Sequence, residues 1–141
     1  MSAANMGVGT MKTAAKRQLE PGLLCRNEDP IVFRELLTKV GDKWSIFTML
    51  ALSMLPGERA RFSELNRSIP TISERMLTLT LRNLERDGLV AREFFAEIPP
   101  RVEYELTTMG KSLLPALQGL VDWVAQNSDK VKVARLDFDS K

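Results

Sequence analysis

The sequence predicts a mainly α fold with one small β-hairpin. Three observations predict it. Apolar residues recur at helical spacing in several segments that begin with a capping residue or end at glycine. Strand-like alternation is confined to two short stretches, Leu89–Ala96 and Val102–Leu106. A tight Ile69-Pro70-Thr71-Ile72 connection joins a short helical segment to a longer one. At 141 residues the chain fits one compact domain with short extensions. The expected division is an extension over 1–28, a domain over 29–127 and a tail over 128–141.

Residues 1–28 are small, polar and basic, and Pro21-Gly22 interrupts a weak periodicity. Some helix is expected there, over Met11–Leu19. Asp29-Pro30 then opens a helix well, because Asp caps free amides and Pro suits the first helical position. Phe33, Leu36, Leu37 and Val40 give it one apolar face before Gly41 ends it. Lys43–Leu55 is a second helix with two apolar sides. Trp44, Phe47, Ala51 and Leu55 form one stripe, and Ile46, Met49 and Leu50 lie roughly opposite. Such a helix is buried on both sides, one of them available to a partner subunit. After the Pro56-Gly57-Glu58 turn, Arg61-Phe62 is expected as a short strand and Ser63–Ile69 as a short helix. Ser73–Asp87 is the next helix, capped by Ser73 and closed by Gly88. Two strands follow, separated by Glu97-Ile98-Pro99-Pro100-Arg101, whose prolines hold the loop extended. Thr107 or Thr108 caps a last helix, expected to run to about Asn127, with an apolar face of Leu113, Leu114, Leu117, Leu120, Val121 and Val124.

The order of these elements carries more than any one of them. A short helix, a tight turn and a longer helix make a helix-turn-helix, and the hairpin directly after it makes a wing. At about 100° per residue, Ser73–Asp87 sorts into two faces. Leu77, Thr80, Leu81 and Leu84 form one, and Arg75, Thr78, Leu79, Arg82 and Arg86 form the other. A helix fits the major groove of double-stranded DNA, and arginine pairs well with guanine or phosphate. Thr71 and Ser73 stand at the helix start, where free amides favour a phosphate. Arg101, beside the two prolines, is a candidate for a minor-groove or phosphate contact from the wing. The plainer alternative is a solvated face, its arginines paired with Glu85 or Asp87, and Arg101 a turn residue in water. The helix-turn-helix order favours DNA.

Composition bounds the alternatives. The net charge is only +2, so any DNA affinity rests on placement. From Arg61 to Arg101 every basic residue is arginine, nearly balanced by Glu64, Glu74, Glu85, Asp87, Glu93 and Glu97. The chain has no histidine and a single cysteine, Cys25. Histidine-centred acid–base catalysis, a Cys/His zinc site and an intrachain disulfide are thereby excluded. No phosphate loop or dinucleotide fingerprint is present, so neither an enzyme nor a cofactor is expected. The longest apolar run, Ile46–Leu55, is too short to span a bilayer, and no signal peptide is read. A soluble cytoplasmic protein is expected, without membrane association.

Several segments resemble the HxlR family of bacterial regulators. They are Gly41-Asp42-Lys43-Trp44, Arg61-Phe62-Ser63-Glu64-Leu65, Ile72-Ser73-Glu74-Arg75-Met76-Leu77-Thr78, Leu81-Arg82-Asn83-Leu84-Glu85, Asp87-Gly88-Leu89-Val90, Pro99-Pro100-Arg101-Val102-Glu103-Tyr104 and Leu106-Thr107-Thr108-Met109-Gly110. The likeness spans about Pro30 to Gln126. It implies a winged-helix homodimer on a promoter operator. The DNA-contact candidates are Arg61, Ser63, Thr71, Ser73, Arg75, Met76, Thr78, Leu79, Arg82, Arg86 and Arg101. In the family the terminal helices make the dimer, which assigns that role to Trp44, Phe47, Leu113, Leu117, Leu120, Val121 and Val124; ordinary core packing is the alternative. Some members sense oxidants through a cysteine just ahead of the first core helix. Ile31 holds that place here and Cys25 lies six residues earlier. Cys25 is thus a candidate redox residue, with an inert thiol as the alternative. A small-molecule effector between Trp44, Phe47, Met49 and Trp123 is a further candidate, against simple packing of these side chains.

Overall fold

The computed structural model describes residues 29–141. The expectations for Cys25, for Met11–Leu19 and for the extension over 1–28 lie outside the described residues. The chain divides into two compact units, Met1–Val40 and Gly41–Lys141. In the first, helix α1 (Pro30–Val40) starts as expected. The Asp29 carboxylate accepts hydrogen bonds from the amides of Ile31 and Val32, both at 3.1 Å.

The second unit begins with α2 (Lys43–Met54), whose N-cap is Asp42, accepting from the amides of Trp44 and Ser45. The side of α2 carrying Ile46, Met49 and Leu52 is buried. A single 3-10 turn, Pro56–Glu58, leads into β1 (Arg59–Arg61). Helix α3 (Phe62–Ser68) and helix α4 (Glu74–Arg86) form the helix-turn-helix. Strands β2 (Val90–Phe95) and β3 (Arg101–Leu106) form the wing, and α5 (Thr108–Asp139) closes the unit. The fold is a winged helix-turn-helix.

Three expectations are corrected. The short strand is Arg59–Arg61, and Phe62 belongs to α3. The amide of Arg61 donates to the Glu64 carboxylate at 2.8 Å, which fixes the helix start one residue early. That strand also pairs with β3, so the hairpin becomes a three-stranded antiparallel sheet of order β1-β3-β2. The final helix runs to Asp139 instead of ending near Asn127. No glycine or proline follows Gly119, so nothing in the chain stops the helix there. It also continues through Pro115.

The core gathers Met49 and Leu52 of α2, Leu65 of α3, and Leu77, Leu81 and Leu84 of α4. Val90, Leu106 and Leu117 close it from the sheet and α5. Each such side chain contributes roughly 1.5–3 kcal/mol on burial. One junction binds three elements. Gly88, with φ +79°, ends α4, and its amide donates to Glu85 O while that of Leu89 donates to Leu84 O. The Thr107 amide donates to Leu89 O at 3.1 Å, and the Thr107 hydroxyl to Gly88 O at 2.6 Å. Gly110 lies so close that a Cβ there would sit 2.1 Å from Leu89 O.

Candidate nucleic-acid interface

Helix α4 is two-faced because its sequence is. Leu77, Thr80, Leu81 and Leu84 are buried, the four residues expected to face inward. Arg75, Thr78, Arg82 and Arg86 are exposed, and so is Leu79 at 51%. Ser73 caps the helix, its hydroxyl accepting from the Met76 amide at 3.0 Å. Thr78 donates its hydroxyl to Glu74 O at 2.8 Å, which leaves its oxygen lone pairs outward. Met76 is half-buried beside this face.

The arginines are the informative groups. Arg75, Arg82 and Arg86 form no ion pair among the described residues, and neither do Arg61 and Arg67. Among the described residues these arginines form no ion pair with Glu85 or Asp87, and they stand in solvent. Such guanidinium groups on one helix face form a cationic surface with planar donor sets.

The turn ahead of α4 is strained at one residue. Thr71 has φ +66°, a region costly for a β-branched side chain. The Ile72 amide reaches back to Ile69 O at 3.5 Å. Thr71 and Ser73 are both exposed. Arg61 and Ser63, at the start of α3, are exposed as well.

Arg101 stands differently from expectation. It lies 3.0 Å from Glu97 and 2.9 Å from Glu103, and its guanidinium stacks over the Phe95 ring at 4.0 Å. Arg59, which the sequence reading passed over, is the hub beside it. It pairs with Glu93 and Glu103, and with Glu105 at 3.1 Å, and its guanidinium lies 5.7 Å from the centre of the Phe95 ring. The hydrogen bond to Glu103, then that to Glu93, holds the Arg59 guanidinium above its ordinary range. In return the bond from Arg59 holds the Glu103 carboxyl below its usual value of 4.5. Strand register explains the cluster. Residues 59, 93, 95, 101, 103 and 105 fall on one side of the sheet by the period of two. Arg59 and Glu103 are separated by 44 residues, so no local pattern reveals them.

The residues assigned to dimerisation split. Leu117 is buried in its own unit, and Leu113, Val121 and Trp44 are half-buried. Phe47, Leu120 and Val124 stay 46%, 48% and 52% exposed. Trp44 and Phe47 meet edge to face, ring centroids 6.0 Å apart. Of the effector candidates, Met49 is fully buried core, while Trp123 is exposed. No group of acidic or cysteine side chains able to hold a metal exists among the described residues. No helix among them is long and apolar enough to cross a membrane.

Known proteins agree with this architecture. The HxlR-like helix-turn-helix family model matches residues 39–132. An uncharacterized HTH-type transcriptional regulator of Methanothermobacter thermautotrophicus is 51% identical over 87 residues, which cover 62% of this chain and 64% of that protein. YtfH of Escherichia coli, an uncharacterized HTH-type transcriptional regulator, is 35% identical over 88% of this chain and 94% of its own. Among solved structures, the redox regulator HypR in its reduced form superposes with a TM-score of 0.60. It is 40% identical, over 74% of this chain and 99% of that one. With the family model spanning the whole helix-turn-helix and wing, the chain belongs to the HxlR-like helix-turn-helix family, a family of transcriptional regulators and not of enzymes.

Proposed function

We propose that this chain is a sequence-specific regulator that binds double-stranded DNA as a homodimer at a promoter operator. The observation that carries the reading is the outward face of α4, where Arg75, Arg82 and Arg86 stand without carboxylate partners among the described residues. Placed in a major groove, Arg75 and Arg82 pair with base edges or phosphates, and Leu79 supplies an apolar contact of the kind a thymine methyl offers. Arg86 at the far end of this face, with exposed Arg61, Ser63, Thr71 and Ser73, holds flanking phosphates. Exposed Leu120 and Val124 on α5, with Phe47 on α2, supply apolar surface for a second copy. A symmetric pair of α4 helices then meets successive major grooves about 34 Å apart.

The signal is the finer part of the proposal. HypR is described as a redox regulator, and a thiol signal here falls to Cys25. If DNA binding withstands diamide with Cys25 intact, the redox reading is lost and a small-molecule effector takes its place.

The test is selection of duplexes from a random library by the full chain, followed by fluorescence anisotropy across salt concentrations. The expected result is a near-palindromic sequence bound with a steep fall in affinity as salt rises. Arg75→Ala and Arg82→Ala each weaken it by about tenfold or more. Failure to enrich any sequence, or binding indifferent to salt, overturns the reading.

A further inference from the structure

The tip of the wing poses a question the arginines do not answer. Ile98 is fully exposed, the most open large apolar side chain among the described residues. It precedes Pro99 and Pro100, whose rings fix the backbone that carries it. The basic residue expected to serve the wing, Arg101, is committed inward to Glu97, Glu103 and the Phe95 ring. From Val90 to Leu106 the hairpin holds two arginines, Arg92 and Arg101, against four glutamates, Glu93, Glu97, Glu103 and Glu105. This hairpin is therefore not a cationic arm, and attraction to phosphates does not explain how its tip is built.

We infer that the wing reads DNA through Ile98, whose side chain enters the minor groove as an apolar wedge, while Arg101 is the positioning residue that holds the tip. This rests on the DNA-binding reading above. The dimensions agree. Strands of six residues carry the tip about 20 Å from the end of α4. That is close to the half turn, roughly 17 Å, that separates a major groove from the adjoining minor groove. A minor groove about 6 Å wide admits one side chain and not a strand. Branched apolar side chains lodge between base steps there and open them. The Arg101–Glu97 ion pair spans the base of the loop, so the side chain that protrudes is fixed from below. The carboxylates matter as well. Paired with Arg59 and Arg101, they set only about half of their charge against the phosphates that flank the groove.

The experiment uses the full chain and the duplex it selects from the random library. Ile98→Ser is expected to weaken binding by about tenfold. The slope of log affinity against log salt stays unchanged, because no counterion is released through an apolar contact. Arg82→Ala, measured beside it, lowers that slope by about one. Ile98→Leu keeps the affinity within about twofold, since apolar bulk is what is read. Arg101→Ala weakens binding in the native chain and has no further effect in the Ile98→Ser background. An Ile98→Ser protein that binds like the native chain overturns the inference and leaves the DNA reading standing. So does an Arg101→Ala change that lowers the salt slope in both backgrounds, which makes Arg101 a direct phosphate contact. If the native chain selects no duplex at all, the DNA reading and this inference fall together. The exposed position of Ile98 keeps folding out of the comparison, and equal melting temperatures check it.

Discussion

Thr71 shows how a single residue can be placed against its own preference. Its φ of +66° suits glycine, yet a threonine occupies the turn between α3 and α4. Strain of about 1–2 kcal/mol is held there. Thr71→Gly relieves it and gives back part as unfolded-state entropy. Urea denaturation is expected to show a net gain of about 0.5–1 kcal/mol. The same variant loses DNA affinity, since the hydroxyl at the start of α4 is gone; a variant that is both more stable and equally tight removes Thr71 from the interface. The arginines of α4 are the converse case. The helical wheel alone separated Arg75, Arg82 and Arg86 from Leu77, Leu81 and Leu84, and burial divides them the same way. That much was legible because a helix maps sequence spacing directly onto a face. Arg101 was legible as a wing residue, but its partners were not. Glu97 is local, whereas the Phe95 ring and Glu103 reach it through pairing of the two strands.

At the scale of elements, the sheet is the part that sequence reading left incomplete. The hairpin was visible from alternation, but β1 begins two residues before the expected start and its pairing with β3 was not foreseen. A three-residue strand has too little period to announce itself, and its partner lies more than forty residues on. The charge cluster that results titrates in a predictable direction. The Glu103 carboxyl is held below 4.5 in the folded chain by the bond from Arg59. Its contribution to stability is thus present at neutral pH and is lost as pH falls through that lowered value. Protection of the β2 and β3 amides, taken relative to their intrinsic exchange rate, is expected to fall as pH drops through that lowered value. Glu103→Gln should already exchange faster at pH 7 and show a weaker acid response; an unchanged acid response in that variant would assign the effect to another carboxylate. The junction of α4, β2 and α5 yields the sharper element-scale prediction. A methyl group at Gly110 meets the Leu89 carbonyl, which is backbone and cannot swing aside. Gly110→Ala should cost about 3 kcal/mol in chemical denaturation. A loss below about 0.5 kcal/mol would mean the contact is looser in solution.

For the molecule as a whole, the proposed dimer turns on the long α5. Its 32 residues extend about 48 Å, and from Asp122 onward nearly every side chain is exposed. Leu120→Glu combined with Val124→Glu should turn a dimer into a monomer in sedimentation velocity and weaken operator binding with it. Dimers that persist would move the interface to another surface. The length of α5 was the one large feature the sequence concealed, because a helix without a breaker ends where the tertiary context lets it. The crowded glycine beside Leu89 has a mechanical consequence. Residues of α5 and the carbonyl that begins the wing touch with no clearance, and the Thr107 hydroxyl is fastened to the last loop of α4. There is no slack at this pivot to absorb a twist. A few degrees of torque applied to the long helix would pass to α4 and the wing together, as through one lever.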